Sequence, residues 1–282
     1  MNNKTDLMSF LAQSQLSNPI KVESAFLEEP NLGVRKAMED FTIREPDLLG
    51  NSKYSFYAIL DGHGGSDVAR FSKETLPKIL RGRLQSHGHK NKLKDLLLSS
   101  VEELSVKIRM IGGRDSGTTL TGILLDMTNK QVIYFNVGDS RVLAVRYDSK
   151  NILRSDFKTP LHTVTNEQEA QRIREFGGRI MNGRLGGNLL LSRSLGDFNL
   201  QSHGLISTPE LSESPLFRNK LLFLASDGVW DVLDERTVVK LIKTNSKKTL
   251  DGLAKILVKE AVDKGSNDNI SLIIVKIGFA NK

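Results

Sequence analysis

The sequence predicts a mixed domain of the α+β class, and three observations carry that prediction. Strand-like runs over 118–125, 131–137 and 141–145 follow one another with no helix between them. Upstream of them, two stretches of helical period stand side by side, over 68–80 and 93–111. A further helical stretch over 247–263 comes just before a last apolar run, 270–275. Strands grouped with strands and helices in pairs point away from alternating βαβ units.

In chain order, Glu39-Asp40 precedes a short apolar run, Phe41-Thr-Ile43. The run 54–60 then stops abruptly at Asp61-Gly62-His63-Gly64-Gly65. Asp is depleted inside strands and Gly interrupts them, so this reads as a buried strand opening into a loop. Val68, Phe71, Leu76, Ile79 and Leu80 recur at near-helical spacing. Leu93, Leu97, Val101, Leu104, Ile108 and Ile111 mark a long amphipathic helix that stops at Gly112-Gly113. The three strand-like runs are joined by short polar turns, such as 126–130, which favour antiparallel pairing. Thr165 and Gln168 form a capping box for a helix closing at Gly177-Gly178. A late strand, Leu221–Ala225, leads into Ser226-Asp227-Gly228, and Ser266-Asn-Asp268-Asn precedes the final one.

Three acids thus sit at strand ends, Asp61, Asp227 and Asp268, and a fourth site, Glu39-Asp40, flanks the run at 41–43. Each alone is consistent with turn chemistry, since Asp before Gly and Asn-Asp-Asn are common loop compositions. Together they suit hard divalent cations, which take several carboxylate, carbonyl and water oxygens on a rigid frame.

Seven blocks carry a resemblance: Arg35–Asp40, Asp61–Gly65, Asp115–Thr119, Val137–Arg141, Leu191–Asp197, Ser226–Asp231 and Gly265–Asn269. In this order they resemble the motifs of the metal-dependent serine/threonine protein phosphatases of type 2C, the PPM family, over nearly the whole chain. The resemblance implies two antiparallel sheets packed as a central sandwich, paired helices on the outer faces and a metal site at one end. It implies residues 1–20 as an N-terminal extension, a candidate for flexibility, and 21–282 as one phosphatase domain with a flap at about 158–207. That Gly-, Arg- and Asn-rich flap would govern substrate choice.

The resemblance further implies hydrolysis of phosphoserine and phosphothreonine esters with two tight ions, manganese or magnesium. Asp61 would bridge the ions and the Gly62 carbonyl would bind one, with Glu39, Asp227 and Asp268 completing the set. Asp40 would hold metal-bound water. A third, weaker ion would sit at Asp156 beside Asp227. Arg35 would clamp phosphate, a task suited to its planar fork. His63, set between two glycines, would be the general acid. Phe41 and Phe157 stand where the family often has His. A catalytically inactive relative serving as a binding scaffold is the alternative, and it should lack one or more of these carboxylates.

Composition agrees. With no Cys there is neither a disulfide nor a thiolate nucleophile, and only five His occur, His63, His87, His89, His162 and His203. A carboxylate-dominated site is what remains, and an intracellular compartment, cytoplasmic or nuclear, is the default. No apolar run approaches a membrane span, the N-terminus lacks a signal-peptide plan, and Asn2 excludes N-myristoylation. The net charge of +7 comes mainly from 73–94, where seven Lys or Arg face one acid, Glu74. No aromatics interleave with these charges as stacking platforms would require, so the segment reads as the wet face of a helix. The expectation is a monomer acting on phosphoprotein partners, with no nucleic acid and no membrane.

Overall fold

The computed structural model describes residues 20–87, 93–147, 152–216 and 220–279. The proposed extension at 1–20 therefore falls almost wholly outside the described residues. Two five-stranded antiparallel sheets form the centre. The first runs in the order β1 (Ile20–Glu29), β15 (Ile270–Phe279), β14 (Lys220–Ala225), β8 (Arg141–Tyr147), β9 (Leu153–Lys158). The second runs β13 (Glu210–Pro215), β7 (Gln131–Val137), β6 (Leu120–Asp126), β3 (Tyr54–Leu60), β2 (Phe41–Glu45).

Strand alternation builds three apolar layers from these two sheets. Tyr57, Ile59, Ile123 and Tyr134 of one sheet meet Val142, Leu222, Leu224 and Ile273 of the other. The opposite face of β3, with Phe56, Ala58 and Leu60, packs under helices α1 (Asp67–His87) and α2 (Leu93–Ile111). The outer face of the first sheet, with Phe223 and Ile274, is covered by α4 (Asp227–Trp230), α5 (Glu235–Thr244) and α6 (Leu250–Asp263). All seven residues of β3 are buried, because both faces have a partner. Phe56 and Phe135 stack at 5.4 Å in the helix-covered layer, and cutting either to Ala costs about 3 to 5 kcal/mol.

Helix ends follow the sequence with one correction. α2 stops where Gly112 and Gly113 adopt positive φ. In the flap, α3 (Glu167–Glu175) is capped by Asn166, whose side chain accepts from the Gln168 amide at 3.0 Å, and not by Thr165. The Thr165 hydroxyl is taken up by Thr163. The segment expected to form a flap has its own small core of Val164, Ile173, Leu185, Leu200 and Leu205.

A second correction matters for the site. β7 and β8 are joined by only three residues, Gly138–Ser140, yet they do not pair. The chain crosses there from one sheet to the other, with Gly138 at φ 107 and its Cα packed on Thr119. A side chain at 138 would collide with Thr119 and strain the backbone. The basic segment, described up to 87 and from 93, is largely committed. Arg81 pairs with Glu45, Arg83 with Glu103 and Lys94 with Glu213.

Candidate active site

At one end of the sandwich, β3, β14 and β15 stop or start beside one another, and their flanking loops carry acids. Hydrogen bonds outside the strand ladders set their geometry. The Asp61 carbonyl accepts from the Thr119 amide at 2.9 Å and the Thr118 hydroxyl at 3.1 Å, and its amide donates to Thr119 Oγ1. Thr119 Oγ1 also meets Ser140 Oγ at 2.9 Å, which links Asp61 to the crossover bearing Asp139. Asn269 joins the N-terminal loop to the Asp268 loop. Its Oδ1 accepts from the Glu39 amide at 2.9 Å, and its Nδ2 donates to the carbonyls of Pro30 and Ala37. Asn31 returns the link by donating to the Ser266 and Asp268 carbonyls.

This bracing brings one carboxylate oxygen each of Asp61, Asp139 and Asp227 within 4.8 Å of one another. Such crowding of like charge is costly, and the carboxyls respond. Burial, then the charges of Asp139, Asp268 and Asp231, pushes Asp227 up to about 8. Burial, then Asp268 and Glu28, raises Asp40 to about 7. Asp139 rises to about 6, chiefly through burial with Asp231 and Asp268 adding to it. Asp61 is pushed well above the carboxylate range by burial and by Asp40, Asp227, Asp139 and Asp268. Asp231, at the end of the single turn of α4, is raised by burial and Asp268.

Three buried oxygens here accept no hydrogen bond: Asp40 Oδ2, Asp61 Oδ2 and Asp227 Oδ1. Buried carboxylate oxygens are ordinarily satisfied. Oxygen-only donors, crowded and unpartnered, fit hard divalent cations such as manganese or magnesium.

The remaining expected residues take these places. Gly62 packs against the Glu39 carbonyl so closely that a Cβ would come within 2.5 Å of that oxygen. Glu39 is thus held by its backbone at the rim of the acidic cluster. Arg35 donates to the Asn267 carbonyl at 3.0 Å and pairs with the Asp268 carboxylate. His63, on the short strand β4 (Gly62–His63), has Nε2 2.7 Å from Asp197 Oδ2.

Asp156 is the exception. It is the residue skipped where the β8–β9 register shifts, since Ala144 pairs with Phe157 and Val145 with Ser155. A bulge re-aims its side chain. That side chain meets Arg146 Nε at 2.8 Å and the buried Lys220 Nζ at 3.1 Å. Burial alone would raise the carboxyl, but the two cations hold it below its usual value. Lys220 begins β14 and Asp227 follows its end, so the two acids stand about 20 Å apart along the strand. The expectation of Asp156 beside Asp227 is therefore corrected. Asp139 is the acid that stands next to Asp227 instead. Asp139 and Asp231 are missed by the sequence reading, although both lie inside motif blocks, Val137–Arg141 and Ser226–Asp231. Of the two Phe positions, Phe157 packs on Tyr134 at 4.3 Å and Phe41 lies under Lys73.

Comparison with known proteins decides the lineage. The family model described as protein phosphatase 2C matches residues 27–270. The chain belongs to the protein phosphatase 2C family. It is 34% identical over 247 residues to "Probable protein phosphatase 2C 20" of Arabidopsis thaliana, covering 84% of this chain and 80% of that one. It is 29% identical to "Protein phosphatase 2C homolog 1" of Saccharomyces cerevisiae, with 88% and 91% covered. A solved serine-threonine phosphatase 2C from Toxoplasma gondii superposes with a TM-score of 0.77 over 93% of this chain and 96% of that one, at 19% identity, and so speaks to the fold. By family this type 2C protein is a metal-dependent serine/threonine protein phosphatase, and the sandwich with its acidic end is the family's architecture. Among the described residues no helix is long and apolar enough to cross a membrane.

Proposed function

We propose that this type 2C protein hydrolyses phosphoserine and phosphothreonine esters of proteins with a water activated between two divalent ions. The observation that supports this most directly is the convergence of Asp61, Asp139 and Asp227 with buried oxygens left unpartnered. Asp61, Asp227, Asp268, Glu39 and the Gly62 carbonyl would hold the tight pair, and Asp40 would stand behind them. Asp139 would join Asp227 at a weaker third position. When bound, the ions neutralise phosphate charge and make water nucleophilic near neutral pH.

The chain's own groups do the rest. Arg35 is tethered at the rim to the Asn267 carbonyl and the Asp268 carboxylate, and its guanidinium would turn from Asp268 to phosphate oxygens when substrate binds. His63 donates the proton that the departing serine or threonine oxygen needs. The test is phosphate release from a phosphothreonine peptide after chelation, with and without added manganese. Release restored by manganese is the expected result. A fully loaded protein that binds phosphopeptide without cleaving it would favour the inactive scaffold.

A further inference from the structure

The short strand β4 pairs with β5 (Gly117–Thr118), and β5 pairs with β12 (Leu195–Gly196). This three-stranded sheet carries His63 to Asp197, 134 residues later, with Nε2 2.7 Å from Oδ2. Ser194 donates its hydroxyl to the same Oδ2 at 2.5 Å. Asp197 is only 4% exposed. It occupies left-handed backbone at φ 48, uncommon for a residue with a side chain, and its amide is tied to the Ser116 carbonyl at 3.0 Å. Gly117 lies directly under the carboxylate, where any side chain would displace it.

An ordinary role for an Asp in this place would be to cap the 3-10 helix that follows, Phe198–His203. It does not do so: its side chain makes no cap hydrogen bond. The carboxylate is committed to His63 and Ser194, in a site with strained backbone and a cleared floor. Strain of this kind persists only where the surroundings enforce it.

We propose that Asp197 is the positioning residue of His63: by accepting Nε2–H it fixes the ring and leaves Nδ1 as the nitrogen that protonates the leaving oxygen. This rests on the phosphatase reading above. A carboxylate only accepts, so the hydrogen between the two groups belongs to Nε2. As water oxygen bonds to phosphorus, the bond from phosphorus to the serine or threonine oxygen breaks. Its electron pair takes the proton from Nδ1. The ring is left neutral with its hydrogen on Nε2, still held by Asp197, and the proton shed by the attacking water passes to solvent. Asp197 never gains or loses a proton in this scheme. The 3-10 helix that follows Asp197 contributes Leu200 to the small apolar core of Val164, Ile173, Leu185 and Leu205, so the partner of His63 is anchored to that core.

The test uses the full chain. Asp197→Gly removes the carboxylate and suits the left-handed backbone. It should slow phosphothreonine-peptide hydrolysis about 100-fold and nitrophenyl phosphate hydrolysis less than about fivefold, because a nitrophenolate leaves without a proton. The double variant with His63→Gln should be no slower than His63→Gln alone. Asp197→Asn, which keeps an acceptor and tolerates this backbone, should recover part of the peptide rate. An independent readout is nitrogen-15 NMR of the metal-free protein, with His63 assigned by His63→Gln. The hydrogen-bonded Nε2–H signal should be present in the wild type and absent in Asp197→Gly. Equal losses on both substrates, or an unchanged Nε2–H signal, overturns the role. If the glycine variant does not fold, Asp197→Asn decides: a loss not selective for the peptide overturns it too. A wild type inactive on both substrates with manganese overturns the phosphatase reading and this role together, whereas an active wild type with unselective variants overturns this role alone.

Discussion

The two ends of β14 face aspartates of opposite character. At the start of the strand, Asp156 meets Lys220 and Arg146, and its carboxyl is held low. Past the other end, Asp227 stands among Asp61, Asp139 and Asp268 and is pushed up to about 8. The same side chain is stabilised as an anion in one place and penalised in the other. At the first end the chain supplies its own cations, whereas at the second it supplies almost none and leaves oxygens unpartnered. Asp156, with two internal cations, has its charge met by the chain, whereas Asp227 keeps a buried oxygen that suits a cation from solution.

Asp227→Asn should break the comparison most severely. Turnover should fall on the order of 1000-fold or more, the kinetic equivalent of several kcal/mol of lost charge stabilisation, while the fold stays intact. Phosphate release at saturating manganese measures it, and wild-type turnover would sink the metal assignment. Asp156→Ala should do the reverse. Removing the carboxylate that faces the buried Lys220 costs about 3 kcal/mol, seen as a melting temperature lower by about 5 to 10 °C. Its manganese requirement and turnover should match the wild type, and a raised manganese requirement would reinstate Asp156 as a metal ligand.

Arg35→Ala should raise KM for phosphopeptide about tenfold with kcat changed less than about threefold. An unchanged KM would count against the clamp. The smallest effect sharpens the electrostatic contrast. Carboxyls raised in the folded state contribute stability that is complete below their ordinary value of 3.8 and is lost as pH rises through the folded value. Chelated protein should therefore lose melting temperature as pH rises from about 4 to about 8, with the Asp139 share spent by about pH 6 and the Asp227 share running on to about pH 8. His162, buried and lowered to about 4, opposes this only up to its ordinary 6.5. Thermal melts across this range should show the decline, manganese should abolish it, and Asp227→Asn should remove its upper part. A flat profile in chelator would argue against stored repulsion.

Much of this site is legible in the chain because its signals are local. Asp61, Asp227 and Asp268 stand where an apolar run meets Gly or Asn, and that punctuation marks a strand end without knowledge of the fold. The misses came from non-local geometry. Gly138-Asp139-Ser140 looks like a hairpin turn, and only the crossing between sheets brings Asp139 beside Asp61 and Asp227. Asp156 looks like one more loop acid after a short run, and neither the skipped register nor Lys220, 64 positions on in a different strand, can be seen from its neighbours. Thr165 and Asn166 are adjacent cap formers, and the helix used the second. Asp197 closes a quoted block, but its pairing with His63 depends on a sheet of two-residue strands.

β1 pairs along its whole length with β15, from Ile20 opposite Phe279 to Glu29 opposite Ile270. The asparagine links beside that pair join Asn31 to Ser266 across 235 positions. A ribosome adding about 5 to 20 residues per second therefore holds the first strand without its neighbour for roughly 10 to 50 s. Throughout that interval β1 lacks the strand that pairs with it, and an unpaired strand is an edge open to wrong partners. The Glu39 amide meets its Asn269 acceptor only once the chain has been made that far. A chain cut short upstream of β15 would lack the partner of β1 and the Asn269 bracing of the N-terminal loop.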